Sequence, residues 1–311
     1  MHPTAHTPRV PRLLSRGHRL SGRKRHSSQP GRRVMLTLGN LSSIQMKHFE
    51  IVAHRGIPVE APENTIASFQ RAIELGADAV ELDVRLTADR VPVVYHYYYL
   101  QENTSASGTI FNFTLEQLRN VKVFCRGNPA VKDGRISTLA EILELFCGKI
   151  GFEIEIKGPE PEAPEIIGGV LNQLKEYWDD FEITSYEPAL LLEIRKVCPG
   201  ITVDLLFPRS ESWMELDVVQ YQAIQRSRLA RARAVHLHPS QLSEEVVTAL
   251  RQQGIEVHAW DVNDKKSLET ITKLGIPRIC TDHFIQALAF RDKMENSHYS
   301  DNALPFPLSR E

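Results

Sequence analysis

The sequence predicts an α/β protein built as a single (β/α)8 TIM barrel, with a small hairpin inserted after the second strand. Three observations lead to this prediction. From residue 48 onward, short apolar runs rich in β-branched residues alternate with amphipathic segments, eight such runs fit the barrel, and no change of composition divides residues 48–292. An open doubly wound sheet is the main competing architecture. The strand count and the unbroken composition favour the barrel.

The predicted barrel strands are segments of four to eight residues with apolar, β-branched or aromatic side chains. A ninth run, VPVVYH at 91–96, follows the tight polar turn LTADRV, so we expect it to fold back on the second strand as a hairpin. The barrel strands are FEIVAH (49–54), DAVELDV (78–84), GFEIEIK (151–157), EITSY (182–186), TVDLLF (202–207), AVHLH (234–238), EVHAWDV (256–262) and RICTD (278–282).

Helices are predicted between most of these strands. In NTIASFQRAIELGA, an apolar face of Ile66, Phe69 and Ile73 follows Asn64 or Thr65 as the helix cap, and Gly76 ends the helix. The segments with the same pattern are TLAEILELF, PEIIGGVLNQLKEYW, PALLLEIRKV, SEEVVTALRQQG and KKSLETITKLG.

The amino-terminal segment differs from the remainder in charge. Residues 1–47 contain ten Arg or Lys and no Asp or Glu, which leaves 27 basic against 39 acidic side chains in the rest of the chain. Three interpretations are open: an organelle transit peptide, a nucleic-acid-binding arm, or an over-extended start ahead of MKHFEIVAHRG. We favour the third. In each case the basic extension 1–47 is expected to be disordered alone. Residues 293–311 are the carboxyl-terminal tail, and its Pro-containing part after Ser297 is expected to be extended or disordered.

Composition narrows the class of protein. A chain of 311 residues with 42% hydrophobic and 24% charged residues excludes disorder of the whole chain. No apolar run reaches 18 residues, so no transmembrane segment is expected. The four cysteines are scattered and form no CxxC pair, which is typical of reduced core thiols. We therefore expect a cytoplasmic protein whose barrel binds no nucleic acid. Organelle targeting by residues 1–45 is the less favoured alternative.

Charged residues concentrate at the carboxyl ends of the predicted strands, where barrel enzymes carry their chemistry. The first strand ends in His54 and Arg55, the second places Glu81 and Asp83 on one face, and the third places Glu153, Glu155 and Lys157 on one face. Carboxylates crowded in a poorly solvated site need a cation, and oxygen ligands suit Mg²⁺ or Ca²⁺. The alternative is an ion-pair network among Glu153, Glu155, Lys157 and Arg55.

Two histidines, His54 and His96, are expected to approach the same mouth from neighbouring strands. Two imidazoles beside a divalent cation, with Arg55 and Lys157 as anion donors, suit in-line attack on a phosphate diester. One histidine would take a proton from the nucleophile, and the other would give one to the leaving oxygen.

These residues resemble the glycerophosphodiester phosphodiesterase family. AHRG, PENTIASFQRAIELGADAVELDV, PVVYH, IEIK, ITSY and AWDVND occur in order across nearly all of residues 50–290. The resemblance implies a barrel with one divalent cation and a histidine pair. It assigns His54 and His96 as acid and base, and Glu81, Asp83 and Glu155 as metal ligands. It also places Arg55 and Lys157 at the phosphate and Trp260 near the pocket.

The chain departs from the family pattern after His96. Members usually read His-Asp, then Leu, then Arg-Thr-Thr, whereas here Tyr97, Tyr98 and Tyr99 follow His96, and Glu102 and Asn103 replace the Arg and Thr. Strand alternation would send Tyr98 into the pocket and leave Tyr97 and Tyr99 packing the hairpin, unless the strand has already turned. An aromatic, less anion-seeking pocket would suit a choline or ethanolamine cation.

The remaining candidates are weaker. His236 and His238 share a strand face and could bind a metal, but no carboxylate accompanies them in the sequence, so core or rim packing is the expected role. His258 is similar. Glu63 and Asn64 are expected to cap a helix, although the resemblance puts their turn close to the site.

The predicted function is metal-dependent hydrolysis of a glycerophosphodiester, derived from phospholipid, to a phosphomonoester and an alcohol. Alternatives are a lysophospholipase D-like or sphingomyelinase D-like diesterase, or an impaired barrel that only binds. The expected partner is a small-molecule or lysolipid phosphodiester. The sequence selects neither the ion nor the oligomeric state.

Overall fold

The computed structural model of the protein describes residues 48–125 and 134–301. In this part of the chain, eight parallel strands close into a barrel, as predicted, and each observed strand overlaps its predicted segment. The barrel strands are β1 (Glu50–Ala53), β2 (Ala79–Leu86), β6 (Gly151–Ile156), β7 (Phe181–Ser185), β8 (Thr202–Leu206), β9 (Ala234–Leu237), β10 (Glu256–Ala259) and β11 (Arg278–Thr281).

The register of the first strand closes the barrel. Val52 of β1 lies opposite Ala79 of β2 and also opposite Cys280 of β11, so β1 pairs with a strand on each side. On β2, Val80 and Leu82 are fully buried in the main hydrophobic core. Strand alternation therefore sends Glu81 and Asp83 to the barrel interior. The barrel thus gathers polar side chains inside it and leaves its apolar face to the helices.

The predicted hairpin is present, but its strand is shorter than expected. Strand β3 (Pro92–Val94) pairs antiparallel with β2, with Val84 opposite Val94. It ends at Val94, two residues before His96, because the chain turns away from β2 there. The insertion after β3 has a small core of its own, which includes Tyr95 and Leu100. Its short elements are α2 (Leu115–Leu118), β4 (Lys122–Val123), β5 (Gly134–Arg135) and the 3-10 helices Leu100–Glu102 and Ile110–Asn112.

Helices pack around the barrel, and their caps follow from the sequence. The first begins after Thr65, whose hydroxyl accepts a hydrogen bond from the Ser68 N–H, and a capping box of Thr138 and Glu141 starts the third. The helices are α1 (Ile66–Glu74), α3 (Leu139–Phe146), α4 (Ala163–Leu171), α5 (Pro188–Val197), α6 (Leu216–Ala230), α7 (Glu244–Gln252), α8 (Lys265–Lys273) and α9 (Phe284–Asp301), with further 3-10 helices at Asn172–Asp180 and Pro239–Gln241.

Two of these helices were not predicted. Helix α6 has no clear apolar stripe, since its buried positions are small residues such as Ala223 and Ser227. Helix α9 crosses the boundary predicted at residue 292, and Met294 packs against the hydrophobic core. The predicted extended tail is therefore helical as far as Asp301.

Several expectations concern the rest of the chain. The basic extension 1–47 and residues 302–311 lie outside the described residues. All four cysteines belong to the described residues and are free thiols. Cys125, Cys198 and Cys280 are buried. None of the helices from residue 48 to 301 is both long and apolar enough to cross a membrane.

Candidate active site

The turn after β1 shapes one side of the barrel mouth. Arg55 and Gly56 both have positive φ, at 56° and 87°. A side chain on Gly56 would meet the Ser68 hydroxyl at 2.3 Å, so glycine is required at this position. The Ser68 hydroxyl accepts from the Ile57 N–H at 2.7 Å and donates to the Arg55 carbonyl at 3.0 Å. These bonds lock the turn and set the direction of the Arg55 side chain.

Three carboxylates converge inside the mouth. Glu81 and Asp83 come from β2, and Glu155 lies opposite Asp83 on the neighbouring β6. One oxygen from each lies within 4.8 Å of the other two, and all three side chains are buried. The structure therefore brings together the three residues predicted as metal ligands.

Both predicted anion donors pair with these carboxylates. Lys157 Nζ lies 3.2 Å from Asp83 Oδ1 and 2.8 Å from Glu155 Oε1, and Arg55 Nε lies 3.2 Å from Asp83 Oδ2. Arg55, Lys157 and Glu155, three members of the alternative ion-pair network, therefore do form ion pairs here. Glu153 is not part of it, because it pairs with His236 deeper in the barrel.

Burial and neighbouring charges move the pKa values of the cluster in opposite directions. Burial and the charge of Asp83 raise the pKa of Glu81 well above its usual value, and burial raises the pKa of Glu155 to about 7. Burial also acts to raise the pKa of Asp83, but Lys157 and Arg55 outweigh it and hold this pKa well below its usual value. Burial and mutual repulsion therefore disfavour the charged forms of Glu81 and Glu155, whereas Asp83 stays ionised beside Lys157 and Arg55.

The turn PENT, residues 62–65, hydrogen-bonds to the carboxylate cluster and to Arg55. The prediction that Glu63 and Asn64 only cap a helix missed these contacts. Asn64 Nδ2 donates to Asp83 Oδ2 at 2.7 Å, while Asn64 Oδ1 accepts from the Asp83 N–H at 3.2 Å. Glu63 Oε1 accepts from Arg55 at 3.1 Å. Thr65 is the actual cap residue. Glu63 and Asn64 therefore hold Arg55 and Asp83 in place.

His54 sits between two acidic groups. Its Nδ1 hydrogen-bonds Asp282 Oδ1 at 2.6 Å, and its Nε2 lies 3.8 Å from Glu81 Oε2. Burial acts to raise the pKa of Asp282, but the bond to His54 lowers it to about 2. Asp282 was missed as a site residue, although RICTD places it at the carboxyl end of a barrel strand, where such residues are expected.

His96 enters from the other side of the mouth. Its Nδ1 is buried without a hydrogen-bond partner among the described residues, and its ring meets Tyr97 edge-on at 4.7 Å. Burial lowers its pKa to about 3, although Asp83 opposes this effect. Arg85 Nε donates to the His96 carbonyl at 2.7 Å, which fixes the backbone of this loop.

The tyrosines after His96 form the wall of a cavity of about 530 Å³. Because β3 ends before His96, the strand has already turned, and Tyr97 and Tyr99 line the cavity together with Tyr98. Tyr97 also packs against the core of the insertion, as predicted. Tyr97 OH accepts from Arg55 at 3.4 Å. Tyr98 lies over the Arg85 guanidinium at 3.9 Å. The cavity is lined by Arg85, His96, Tyr97, Tyr98, Tyr99, Glu102, Glu155, Ile156, Lys157, Gly158, Pro159, Ser185, Tyr186 and Glu187.

Trp260 follows β10 on the same face of the barrel. Its indole N–H donates to the Phe207 carbonyl at 3.1 Å, and its ring meets Tyr186 at 6.4 Å. Trp260 therefore supports a residue of the cavity wall.

The weaker histidine candidates require a correction. His236 was expected to lack carboxylate neighbours, yet its Nε2 lies 3.0 Å from Glu182 Oε1 and 3.5 Å from Asp204 Oδ2. His258 belongs to the same group, whereas His238 lies apart and faces Asp261. The carboxylates come from strands distant in sequence, so only the closed barrel brings them to His236.

A (β/α)8 barrel with three carboxylates, two histidines, a lysine and an arginine at its carboxyl end is the arrangement expected of a phosphoric diester hydrolase. Residues 54–286 match the Glycerophosphoryl diester phosphodiesterase family. The chain belongs to this family and is a phosphodiesterase.

Relatives and solved structures agree with this assignment. A glycerophosphodiester phosphodiesterase from Caldanaerobacter subterraneus is 33% identical over 241 residues, covering 75% of this chain and 93% of the relative. A glycerophosphodiester phosphodiesterase structure from Thermotoga maritima has 27% identity and a TM-score of 0.61, with 78% and 98% coverage. An Oleispira antarctica phosphodiesterase solved with the product sn-glycerol-3-phosphate has 25% identity and a TM-score of 0.68, with 78% and 96% coverage.

Proposed function

We propose that the chain hydrolyses a glycerophosphodiester to a phosphomonoester and an alcohol, using one divalent cation and the pair His54 and His96. The observation that carries the proposal is the convergence of the Glu81, Asp83 and Glu155 oxygens beside both histidines at one barrel mouth. The relative solved with sn-glycerol-3-phosphate as its product supports the same substrate class.

The carboxylate cluster fits a hard cation. Four buried carboxylates, those of Glu63 and the three proposed ligands, lie beside two cationic side chains in the described part of the chain, Arg55 and Lys157. A divalent ion would balance this excess, and all-oxygen ligands suit Mg²⁺ or Ca²⁺. When bound by Glu81, Asp83 and Glu155, the cation would stabilise negative charge on the phosphoryl oxygens.

The surroundings of the two histidines suggest separate roles. Asp282 accepts from His54 Nδ1, which leaves Nε2 facing the carboxylate cluster with its lone pair, as a general base requires. His54 would then take a proton from the water whose oxygen attacks the phosphorus. His96 would give a proton to the leaving alcohol oxygen as the phosphoester bond breaks. An anionic diester beside His96 would counter the burial that lowers its pKa.

Lys157 and Arg55 are proposed to hold the phosphate oxygens. Lys157 lines the cavity, and its side chain is only 12% exposed, so a bound anion would meet a poorly solvated ammonium group. Arg55 is held by Glu63, Asp83 and Tyr97 and would act from behind the cluster.

The cavity wall supports a choline or ethanolamine diester as the second candidate substrate. Tyr98, Tyr99 and Tyr186 offer aromatic surface, and Glu102 and Glu187 add negative charge. Aromatic faces and carboxylates attract ammonium cations, both the quaternary group of choline and the primary group of ethanolamine. A lysophospholipid carrying such a head group is the alternative.

A substrate panel tests the proposal. Glycerophosphocholine, glycerophosphoethanolamine, glycerophosphoglycerol and lysophosphatidylcholine would be assayed with Mg²⁺, with Ca²⁺ and with EDTA, and the products identified by mass spectrometry. We expect glycerol phosphate from the glycerol diesters and no turnover in EDTA. Turnover that persists in EDTA, or cleavage of the lysolipid alone, would contradict the proposal.

Replacing Tyr98 with alanine should change substrate preference more than the rate of the chemical step. Tyr98 stacks on Arg85 and donates to the Gly158 carbonyl at 3.3 Å, so it shapes the wall without touching the carboxylates. We expect KM for choline and ethanolamine diesters to rise about threefold to thirtyfold, which corresponds to a lost cation–π contact of roughly 0.5–2 kcal/mol. The kcat should stay near the wild-type value. An equal KM change for glycerophosphoglycerol would show that Tyr98 does not select the head group.

Replacing Asp282 with asparagine should lower kcat by at least about tenfold and leave KM nearly unchanged. The reason is that the carboxylate orients His54 and stabilises its protonated form, and losing such a partner has cost up to about 10⁴ in the serine protease triad. Steady-state kinetics measure the split between kcat and KM. A variant with wild-type kcat would remove Asp282 from the proposed mechanism.

A further inference from the structure

A second group of metal-ligand side chains lies inside the barrel, away from the carboxyl-end cluster. It consists of Glu182 on β7, Asp204 on β8, His236 on β9 and His258 on β10. All four side chains are buried. Each comes from the next strand around the barrel, so the closed sheet alone brings them to one point. The catalytic proposal uses none of them.

The distances within the group match a tetrahedron. His236 Nε2 lies 3.0 Å from Glu182 Oε1, 3.5 Å from Asp204 Oδ2 and 3.1 Å from His258 Nδ1. His258 Nδ1 lies 3.6 Å from Glu182 Oε1 and 3.8 Å from Asp204 Oδ2. Ligands at about 2.0–2.1 Å around tetrahedral Zn²⁺ are separated by about 3.3 Å. Small movements of these side chains would therefore surround a zinc ion.

The ring nitrogens of His236 and His258 that point away from the group lie near two further carboxylates. His236 Nδ1 lies 3.3 Å from Glu153 Oε1, and His258 Nε2 lies 3.5 Å from Glu256 Oε2. Each ring thus turns one nitrogen toward the group and the other toward a carboxylate. In zinc sites a carboxylate on the outer N–H fixes the tautomer that leaves the inner lone pair free. Glu153 and Glu256 lie in this outer position, although His236 Nδ1 makes no hydrogen bond among the described residues.

The carboxylate ligands are also held from outside. Asp204 Oδ1 accepts from the Ala234 N–H at 2.9 Å. Arg233 pairs with Glu182 Oε2 at 2.8 Å and with Asp204 Oδ2 at 2.5 Å, so Arg233 would have to release this second oxygen for it to bind a metal. Arg278 Nε lies 3.4 Å from Glu182 Oε2. These contacts leave Glu182 Oε1 facing the two histidines.

A cavity of about 300 Å³ at the amino ends of the strands reaches one member of the group, Glu182. Glu182, Arg233 and Arg278 lie in its wall, and its other charged lining residues are all acidic: Glu50, Asp78, Asp179 and Asp180. An acidic entrance raises the local concentration of cations.

We propose that Glu182, Asp204, His236 and His258 form a tetrahedral transition-metal site, with Zn²⁺ as the ion its mixed nitrogen and oxygen ligands favour. The ion would be structural, because four protein ligands leave no open position for a substrate. It would tie four neighbouring strands together at the end of the barrel opposite the active site.

Metal analysis of the full-length chain tests the proposal. The protein would be loaded with Zn²⁺, dialysed against metal-free buffer and analysed by mass spectrometry for zinc per chain. The Glu155→Gln variant is included because it disables the proposed catalytic metal site. Both histidine variants are made in the Glu155→Gln background: His258→Ala disables the new site, and His238→Ala is the matched control, since His238 is a strand-end histidine outside the group. Circular dichroism checks that each variant is folded.

We expect about one zinc ion in Glu155→Gln and in His238→Ala, and a loss of at least tenfold in zinc affinity in His258→Ala. Cobalt-loaded Glu155→Gln should show the intense visible absorption of tetrahedral Co²⁺, a measurement that needs no variant at the new site. Zinc retained at full affinity by folded His258→Ala would overturn the assignment. So would failure of Glu155→Gln to bind zinc or to give the tetrahedral cobalt spectrum, which would show a metal-free ion-pair network.

Discussion

Replacing Glu81 or Glu155 with alanine is expected to lower phosphodiesterase activity by about 10³-fold or more while the barrel stays folded. Each variant removes one of the three carboxylates that converge at the mouth. A catalytic cation contributes several kcal/mol to transition-state stabilisation, and each 1.36 kcal/mol corresponds to a tenfold change in rate. Both carboxylates are buried at a repulsive cluster, so their removal should cost little stability.

The measurement is kcat/KM for a glycerophosphodiester across a titration of Mg²⁺ and of Ca²⁺. Glu144→Ala, on the exposed side of α3, serves as the control for losing a glutamate. Near wild-type turnover by either cluster variant, with metal present, would show that Glu81 or Glu155 is not a metal ligand. Isothermal titration of the cation provides a second measurement, because the variants should also lose cation binding in the absence of substrate.

Replacing His96 with alanine is expected to lower kcat by about 10² to 10⁴, the usual contribution of one general acid or base. The motivation is the position of the ring, in the cavity wall beside Glu155 and Lys157, with its buried Nδ1 lacking a hydrogen-bond partner in the described part of the chain. Such a group is available to a substrate oxygen. The variant should not lose stability through a buried unpaired polar group, because the alanine side chain has no polar atom.

Rates would be measured with two substrates that differ only in the leaving alcohol. A substrate whose alcohol leaves readily, such as a nitrophenyl diester, should be affected much less than the natural diester, because its departure needs no proton. His48→Ala is the control, since His48 is exposed and pairs with Glu295 outside the site. A loss below tenfold with the natural diester would make His96 a packing residue of the insertion.

Local patterns in the sequence were enough to predict most of the fold. Alternating apolar residues identified all eight barrel strands, and the polar turn at 86–91 identified the hairpin, because strand and turn signals depend on neighbouring residues. Helix α6 was missed since its buried positions are small residues that leave no apolar stripe. Strand alternation also failed after Val94, because β3 stops there and the tyrosines turn into the cavity wall.

The candidate site, like the fold, was predicted from the sequence in part. The sequence by itself determined the residue types at the strand ends, and with them the carboxylate cluster, the two histidines and the family. Only the tertiary structure decided which distant side chains meet. Asp282 reaches His54 across 228 positions, and Glu182 and Asp204 reach His236 across 54 and 32. Such contacts depend on how the barrel closes and on its register, and no local pattern in a single sequence records either.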